Sequence, residues 1–207
     1  MMESYSALAA SYDELTQDVG YEKRADFVER LFSHSRIPVH TVLDLACGTG
    51  TMTAIFTERG YELIGVDGSE DMLREARDKA QALTGIPPLF LHQSMPELDL
   101  YGTVDAAFCC LDSLNYLTDP RDVRETFRRL HLFIAPGGAL VFDVHALAKL
   151  EAMDSQVWLD EREDVYCVWR TEYSRRSRLL DYSVDIFSAR ADGAWTRSFE
   201  EHHQRYY

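Results

Sequence analysis

A chain of 207 residues with 46% hydrophobic content can build one good-sized core, or one core carrying an elaboration, but not two independent domains. Its formal charge of −14 argues against an extended phosphate-binding face, since nucleic acids are held largely by Lys and Arg. No window approaches the roughly 18 apolar residues of a membrane span, and the opening MMESYSALAASYDELTQ carries acids without an unbroken apolar stretch; neither a nucleic-acid nor a membrane partner is expected, and a cytoplasmic location is.

Residues 4 to 35 read as a helical arm in which Ala25, Val28, Leu31 and Phe32 make an apolar stripe. From residue 41 to about 148, short β-branched or aliphatic runs alternate with helical patterns, the signature of a doubly wound, mostly parallel sheet of Rossmann-like type. The expected strands are 41 to 46, 62 to 67, 89 to 93, 104 to 111 and 139 to 144. Helices fit between them, among them Ser69 to Leu83 and Arg121 to Ile134, the latter stopped by Pro136, Gly137 and Gly138. From residue 149 the pattern changes to EDVYCVWRTEY, RLLDYSVDIFSAR and AWTRSFEEHHQRYY, separated by polar turns at Arg175 to Ser177 and Ala191 to Gly193. This predicts an appended antiparallel meander, a cover over a cleft or the surface of a homodimer. Cys47, Cys109, Cys110 and Cys167 show neither paired nor metal-ligand spacing and read as buried free thiols, so no metal is expected.

The chemistry gathers at the first strand-to-helix turn, Cys47-Gly48-Thr49-Gly50, where ligands bind in such folds. Glycines there let backbone approach a ligand, although a tight bend alone would also select them. Asp67 ends the second strand 17 positions after Gly50, near the roughly 20-residue spacing of a ribose-binding carboxylate. The third glycine of the dinucleotide fingerprint is absent, because position 53 is Thr. Asp44 just upstream would repel a pyrophosphate yet suits an ammonium group, unless it merely caps the loop amides. The loop therefore fits a cationic, phosphate-free nucleoside better than a dinucleotide.

Taken together, VLDLACGTG, GVDGSEDML, VDAAFCCLDSLNYL and APGGALVFDV resemble the class I S-adenosylmethionine (SAM)-dependent methyltransferases; the opening segment and EEHHQRYY resemble a bacterial branch mostly unassigned in substrate. The resemblance implies methyl transfer from SAM to a small-molecule acceptor by in-line displacement. It places Asp44, Ala46, Cys47, Gly48 and Gly50 along the methionyl and ribose side, with Asp67 on the ribose hydroxyls. Gly68, Ser69 and Met72 would wrap the ribose and adenine, and Cys110, Leu111 and Asp112 would border the methyl group and acceptor, with Asn115 beyond. Where the family commonly has an Asp and then a Met for the adenine, this chain has Ser94 and Met95, so that contact weakens or shifts to Gln93 or a backbone carbonyl. Family members usually finish with a further helix and antiparallel strand pair, so truncation after Tyr207 is expected.

Tyr12 is expected either to reach the cofactor as part of a lid or to pack the arm on the core. No catalytic base is assigned; His92, His145, His202 and His203 read as packed or surface residues, with His145 the foremost mutagenesis target because it ends the fifth strand. Two other readings stay open, a SAM-binding protein without activity and a nicotinamide-dependent reductase.

Overall fold

The computed structural model describes Tyr5 and residues 7–207. Five parallel strands, β1 (Thr41–Leu45), β2 (Glu62–Asp67), β3 (Leu89–His92), β4 (Val104–Cys109) and β5 (Ile134–Phe142), lie in the order β3-β2-β1-β4-β5. The order reverses between β1 and β4, and that is where a doubly wound sheet opens a crevice for a ligand. Helices α2 (Tyr21–Phe32) and α3 (Thr51–Glu58) cover one face, where Ala25, Val28, Phe32 and Phe56 meet Val42 and Phe108. On the other face Leu43, Leu45 and Ala107 pack with Leu98 and Leu130, the latter from α5 (Pro120–Phe133). Both faces are thus covered, which is why the strands read as apolar runs rather than alternating ones.

Local chemistry sets the helix ends. Helix α4 (Glu70–Ala80) starts because the Ser69 hydroxyl accepts from the Met72 N–H, and it ends at Ala80 rather than at the expected Leu83. Asp119 caps α5 in the same way through the Arg121 N–H, with Pro120 in the first turn.

The chain then passes through α6 (Leu147–Met153) into an antiparallel sheet of four strands, ordered β6 (Val157–Glu161), β7 (Val165–Ser174), β8 (Leu179–Ala189) and β9 (Trp195–Arg205). Three of these carry the three aromatic segments of the sequence. The fourth, β6, has only VWLDE, too short to stand out as a strand. The first helix of the arm, α1 (Ala9–Leu15), belongs with this sheet: Leu8 and Leu15 are buried with Val165, Cys167, Val184 and Ile186. A carboxylate locks the contact, since Glu200 accepts from the N–H groups of Tyr5, Ala7 and Leu8. Among the described residues no helix is long and apolar enough to cross a membrane. Cys47, Cys109 and Cys167 are buried free thiols, whereas Cys110 is half-buried.

Candidate active site

Strand β1 ends in a turn that ordinary residues adopt at some strain. Ala46, Gly48 and Gly50 all have positive φ, at 61°, 56° and 73°, and only glycine does this freely. Gly50 caps α3, and a Cβ there would sit 3.0 Å from the Ala76 Cβ of α4, so glycine at this position lets two helices meet at the turn.

Two carboxylates flank this turn. Asp67 closes β2, and each of its oxygens accepts one backbone N–H, from Gly48 at 2.8 Å and from Ser69 at 2.8 Å. Burial raises its pKa above the ordinary value, opposed by those same N–H groups. Asp44 is more extreme. It is 3% exposed and accepts from the Thr53 hydroxyl, at 2.6 Å on Oδ2. Burial pushes its carboxyl up to about 7, against the pull of Thr53 and with the help of the Asp67 charge. The loop amide of Gly48 is held by Asp67.

Two hollows that share wall residues lie beside these groups. A cavity of about 360 Å³ is bordered by Ala46, Gly48, Asp67, Gly68, Ser69 and Met72 on one side, with Gln93, Ser94, Met95 and Leu111 opposite. A narrower one of about 40 Å³ has Asp44, Cys47 and Cys110 in its wall. Tyr12 borders both, as do Ala46, Gly48 and Leu111. Neither is lined by a Lys or Arg among the described residues. At the β3 end, the Gln93 carboxamide is bonded at both atoms to the Asp99 backbone, and the Ser94 hydroxyl donates to Glu97 at 2.6 Å. Polar side chains are present there but already partnered.

The turn after β4 is the second strained element. Leu111 and Asp112 have φ values of 60° and 52°, a conformation that is costly for Leu. Asp143, just past β5, holds it: its carboxylate accepts from the Leu111 and Asp112 N–H groups and pairs with Arg24 at 2.8 Å. The turn thereby presents Asp112 to a further cavity of about 260 Å³, walled also by the arm and the antiparallel sheet. Tyr5, Tyr12 and Tyr116 border this cavity and the one of about 360 Å³ alike, which makes the two neighbours.

The arm is pinned over the site at several points. Asp13 accepts from Thr49 at 2.6 Å and pairs with Lys79 at 2.7 Å. Tyr5 packs against Tyr12, Tyr116 and His202, and its hydroxyl meets that of Tyr116. Tyr12 packs on Tyr5 of the arm and also lines the cavity wall.

His145 is buried and lines none of these cavities. Its Nε2 lies 2.9 Å from Gln204 Oε1 and 3.1 Å from Asp112 Oδ2, while Gln204 Nε2 donates to Asp112 at 2.6 Å. It orients Asp112 and does not face the cavity. His92 and His203 are exposed, bonded to Gly68 O and Asp181 respectively. Sequence reasoning missed Tyr116, Asp143 and Glu200, whose roles arise only from long-range packing. Asp143 alone left a signal, a carboxylate directly after the fifth strand of an α/β sheet.

Comparison with known proteins agrees with this geometry. A family model described as a methyltransferase domain matches residues 42–138. YqeM of Bacillus subtilis (strain 168), which carries a methyltransferase name, is 34% identical over 203 residues, covering 97% of this chain and 79% of its own. A dTDP-3-amino-3,4,6-trideoxy-alpha-D-glucopyranose N,N-dimethyltransferase from Streptomyces venezuelae is 29% identical over 172 residues, 82% of this chain and 70% of its own. Among solved structures, a SAM-dependent methyltransferase from Clostridium acetobutylicum ATCC 824 aligns with a TM-score of 0.85 and 28% identity over 99% of this chain and 82% of that one. The chain belongs to the class I SAM-dependent methyltransferase family. It is an enzyme of methyl transfer, which sets aside the reductase.

Proposed function

We propose that SAM lies along the two hollows beside Asp44 and Asp67, with its adenosine in the larger and its methionyl end in the narrower, and that a small-molecule acceptor meets it at the Asp112 turn. The observation that carries this reading is the pair of carboxylates, Asp44 and Asp67, bordering hollows whose walls hold no Lys or Arg. A diphosphate has nothing to pair with there, whereas an ammonium and two ribose hydroxyls do. Asp67 keeps lone pairs for the hydroxyls after accepting its two amides, and Asp44 Oδ1 remains for the ammonium. Met72 and Met95 supply soft apolar contact for a base. With the Ser94 and Gln93 side chains already bonded, the adenine edge meets backbone groups of that turn.

Bound SAM supplies an electrophilic methyl group on a sulfonium, so the protein's tasks are to align a nucleophile in line with the departing sulfur and to exclude water. The Leu111-Asp112 turn fixes the floor for that alignment, and Tyr5, Tyr12 and Tyr116 close the space above it. Burial raises the pKa of all three phenols, so they stay protonated, as neutral walls and donors. Of the two roles open to the antiparallel sheet, a cover has the stronger support, because Trp169, Tyr182 and Gln204 line the further cavity. Pairing of two copies would use the opposite face, where Asp185 is already ion-paired with Arg170 and Arg197. Four free thiols suit a reducing compartment, the cytoplasm.

Calorimetric titration with SAM, S-adenosylhomocysteine (SAH) and NADH tests the reading. Both sulfur nucleosides should bind and NADH should not; tight NADH binding, or no binding of either nucleoside, would overturn it.

A further inference from the structure

The cavity of about 260 Å³ beyond Asp112 has a chemistry of its own. It is smaller than the roughly 300–1,000 Å³ of pockets that take drug-sized ligands. Six aromatic rings border it, among them Trp158 and Trp169, stacked with centroids 6.0 Å apart. Two carboxylates, Asp112 and Asp160, complete the wall, and no Lys or Arg does so among the described residues. Arg162 lies 3.3 Å from Asp160 and partly neutralises it. Among the described residues Asp112 pairs with no Lys or Arg, and His145 Nε2 lies 3.1 Å from its Oδ2. Its Oδ2 is bonded to Gln204, and Oδ1 has no hydrogen-bond partner among the described residues. Aromatic faces and an unneutralised carboxylate stabilise positive charge and repel negative charge.

A second observation points to the same ligand. His202 is 2% exposed, and its ring forms part of this wall. Nε2 lies 3.0 Å from Glu200 Oε2 without hydrogen-bond alignment, and Nδ1 has no partner among the described residues. A buried, unpartnered ring nitrogen is costly unless something uses it.

We propose that this cavity is the acceptor site and that the atom methylated is the nitrogen of a small amine, held by Asp112 and the aromatic rings. The proposal rests on the placement of SAM given above. The amine arrives as an ammonium, the form the wall favours, and gives one proton to the His202 imidazole. Its freed lone pair forms the bond to the methyl carbon, while the carbon–sulfur pair stays on sulfur. One proton and one methyl group change places on nitrogen, and no oxidant or further reactant is needed.

The test is calorimetry on the SAH-loaded chain with matched probes: phenethylamine, 2-phenylethanol and 3-phenylpropanoic acid, which share a ring and differ in head group. The amine should bind at least tenfold more tightly than the alcohol, equivalent to about 1.4 kcal/mol, and the acid least of all. Asp112→Asn should abolish that preference while SAH affinity holds, since Asn tolerates the left-handed backbone and still accepts from Gln204. Equal binding of alcohol and amine, no amine binding at millimolar concentration, or an unchanged preference in the variant would each overturn the proposal. In every one of these cases retained SAH binding leaves the cofactor placement standing, whereas loss of SAH binding by the unmodified chain would count against that placement itself. Incubated with SAM, a bound amine should gain one methyl group by mass, with kcat at least tenfold lower in His202→Gln and KM within about threefold. Unchanged kcat in that variant would remove His202 from the step.

Discussion

Asp44→Asn should make the protein more stable and a poorer binder of SAM at once. Asp44 ionises with difficulty because burial lifts its pKa from 3.8 to about 7. A folded state that holds a proton more tightly than the unfolded chain loses stability as pH rises between those two values. Above pH 7 the difference of about 3 in pKa amounts to about 4 kcal/mol standing against the fold, at 1.36 kcal/mol for each pKa unit. Asn matches the shape, keeps an oxygen for the Thr53 hydroxyl and carries no charge. It should recover about 2 to 4 kcal/mol at pH 8, which for a chain of this size is a rise in Tm of about 5 to 15 °C. Thermal unfolding of the SAM-free protein at pH 8 and pH 5 is the assay, and the gain should shrink at pH 5, where the wild-type carboxyl is already protonated. Calorimetry on the same samples should show SAM about 10- to 100-fold weaker, because a charge-assisted hydrogen bond to the ammonium is worth roughly 1.5 to 3 kcal/mol. A variant that unfolds earlier at pH 8, or that binds SAM as tightly as the parent, would refute the reasoning.

Four further outcomes follow from the same geometry. Because only ionised Asp44 attracts the ammonium, SAM affinity should rise with pH through about 7, with binding about tenfold weaker at pH 6 than at pH 8; a flat profile over that range would contradict the role given to Asp44. Asp67→Ala should weaken SAM by a comparable 10- to 100-fold, roughly 1.4 to 2.8 kcal/mol, and unsettle Gly48 and Ser69, seen as faster amide exchange at those two positions. Glu200 has its pKa below the ordinary range: burial alone would raise it, but His202 and the N–H groups of Ala7 and Leu8 favour the anion more strongly. Its stabilising contribution is therefore present at neutral pH and lost as pH falls through that lowered value, and Glu200→Gln should speed amide exchange at residues 5 to 8 about tenfold. Gly50→Ala places a side chain at φ 73° and 3.0 Å from Ala76, so it should lower stability by about 1 to 3 kcal/mol, read as a fall in Tm.

What the sequence showed and what it hid divide along the range of the interactions. The parallel strands announced themselves because both faces are covered, and Asp44, Gly48 and Asp67 stood out because each sits at or beside the end of one of two successive strands, a spacing the sequence carries. Helix α4 was overextended by one stripe residue, Leu83, since periodicity persists past the point where backbone bonding stops. Gly50 carries a constraint that the sequence did not show, the approach of α4, an element twenty residues away in sequence. Strand β6 was invisible because VWLDE is mostly exposed and has little alternation. The acceptor cavity lay furthest out of reach. Its wall joins Tyr5, Asp112, Trp158 and His202, drawn from the arm, the β4 turn and two antiparallel strands, and no local pattern links them. His145 attracted notice for its place at the end of β5, yet it supports Asp112 from behind, while His202, in a run that reads as an ordinary surface strand, faces the cavity.

The most direct measurement is a crystal structure of the chain with SAH. The account predicts ribose hydroxyls on Asp67, the amino group beside Asp44, and the sulfur facing the Asp112 turn. A nucleoside bound elsewhere, or one whose amino group lies away from Asp44 while a phosphate from the solvent occupies the loop, would contradict it.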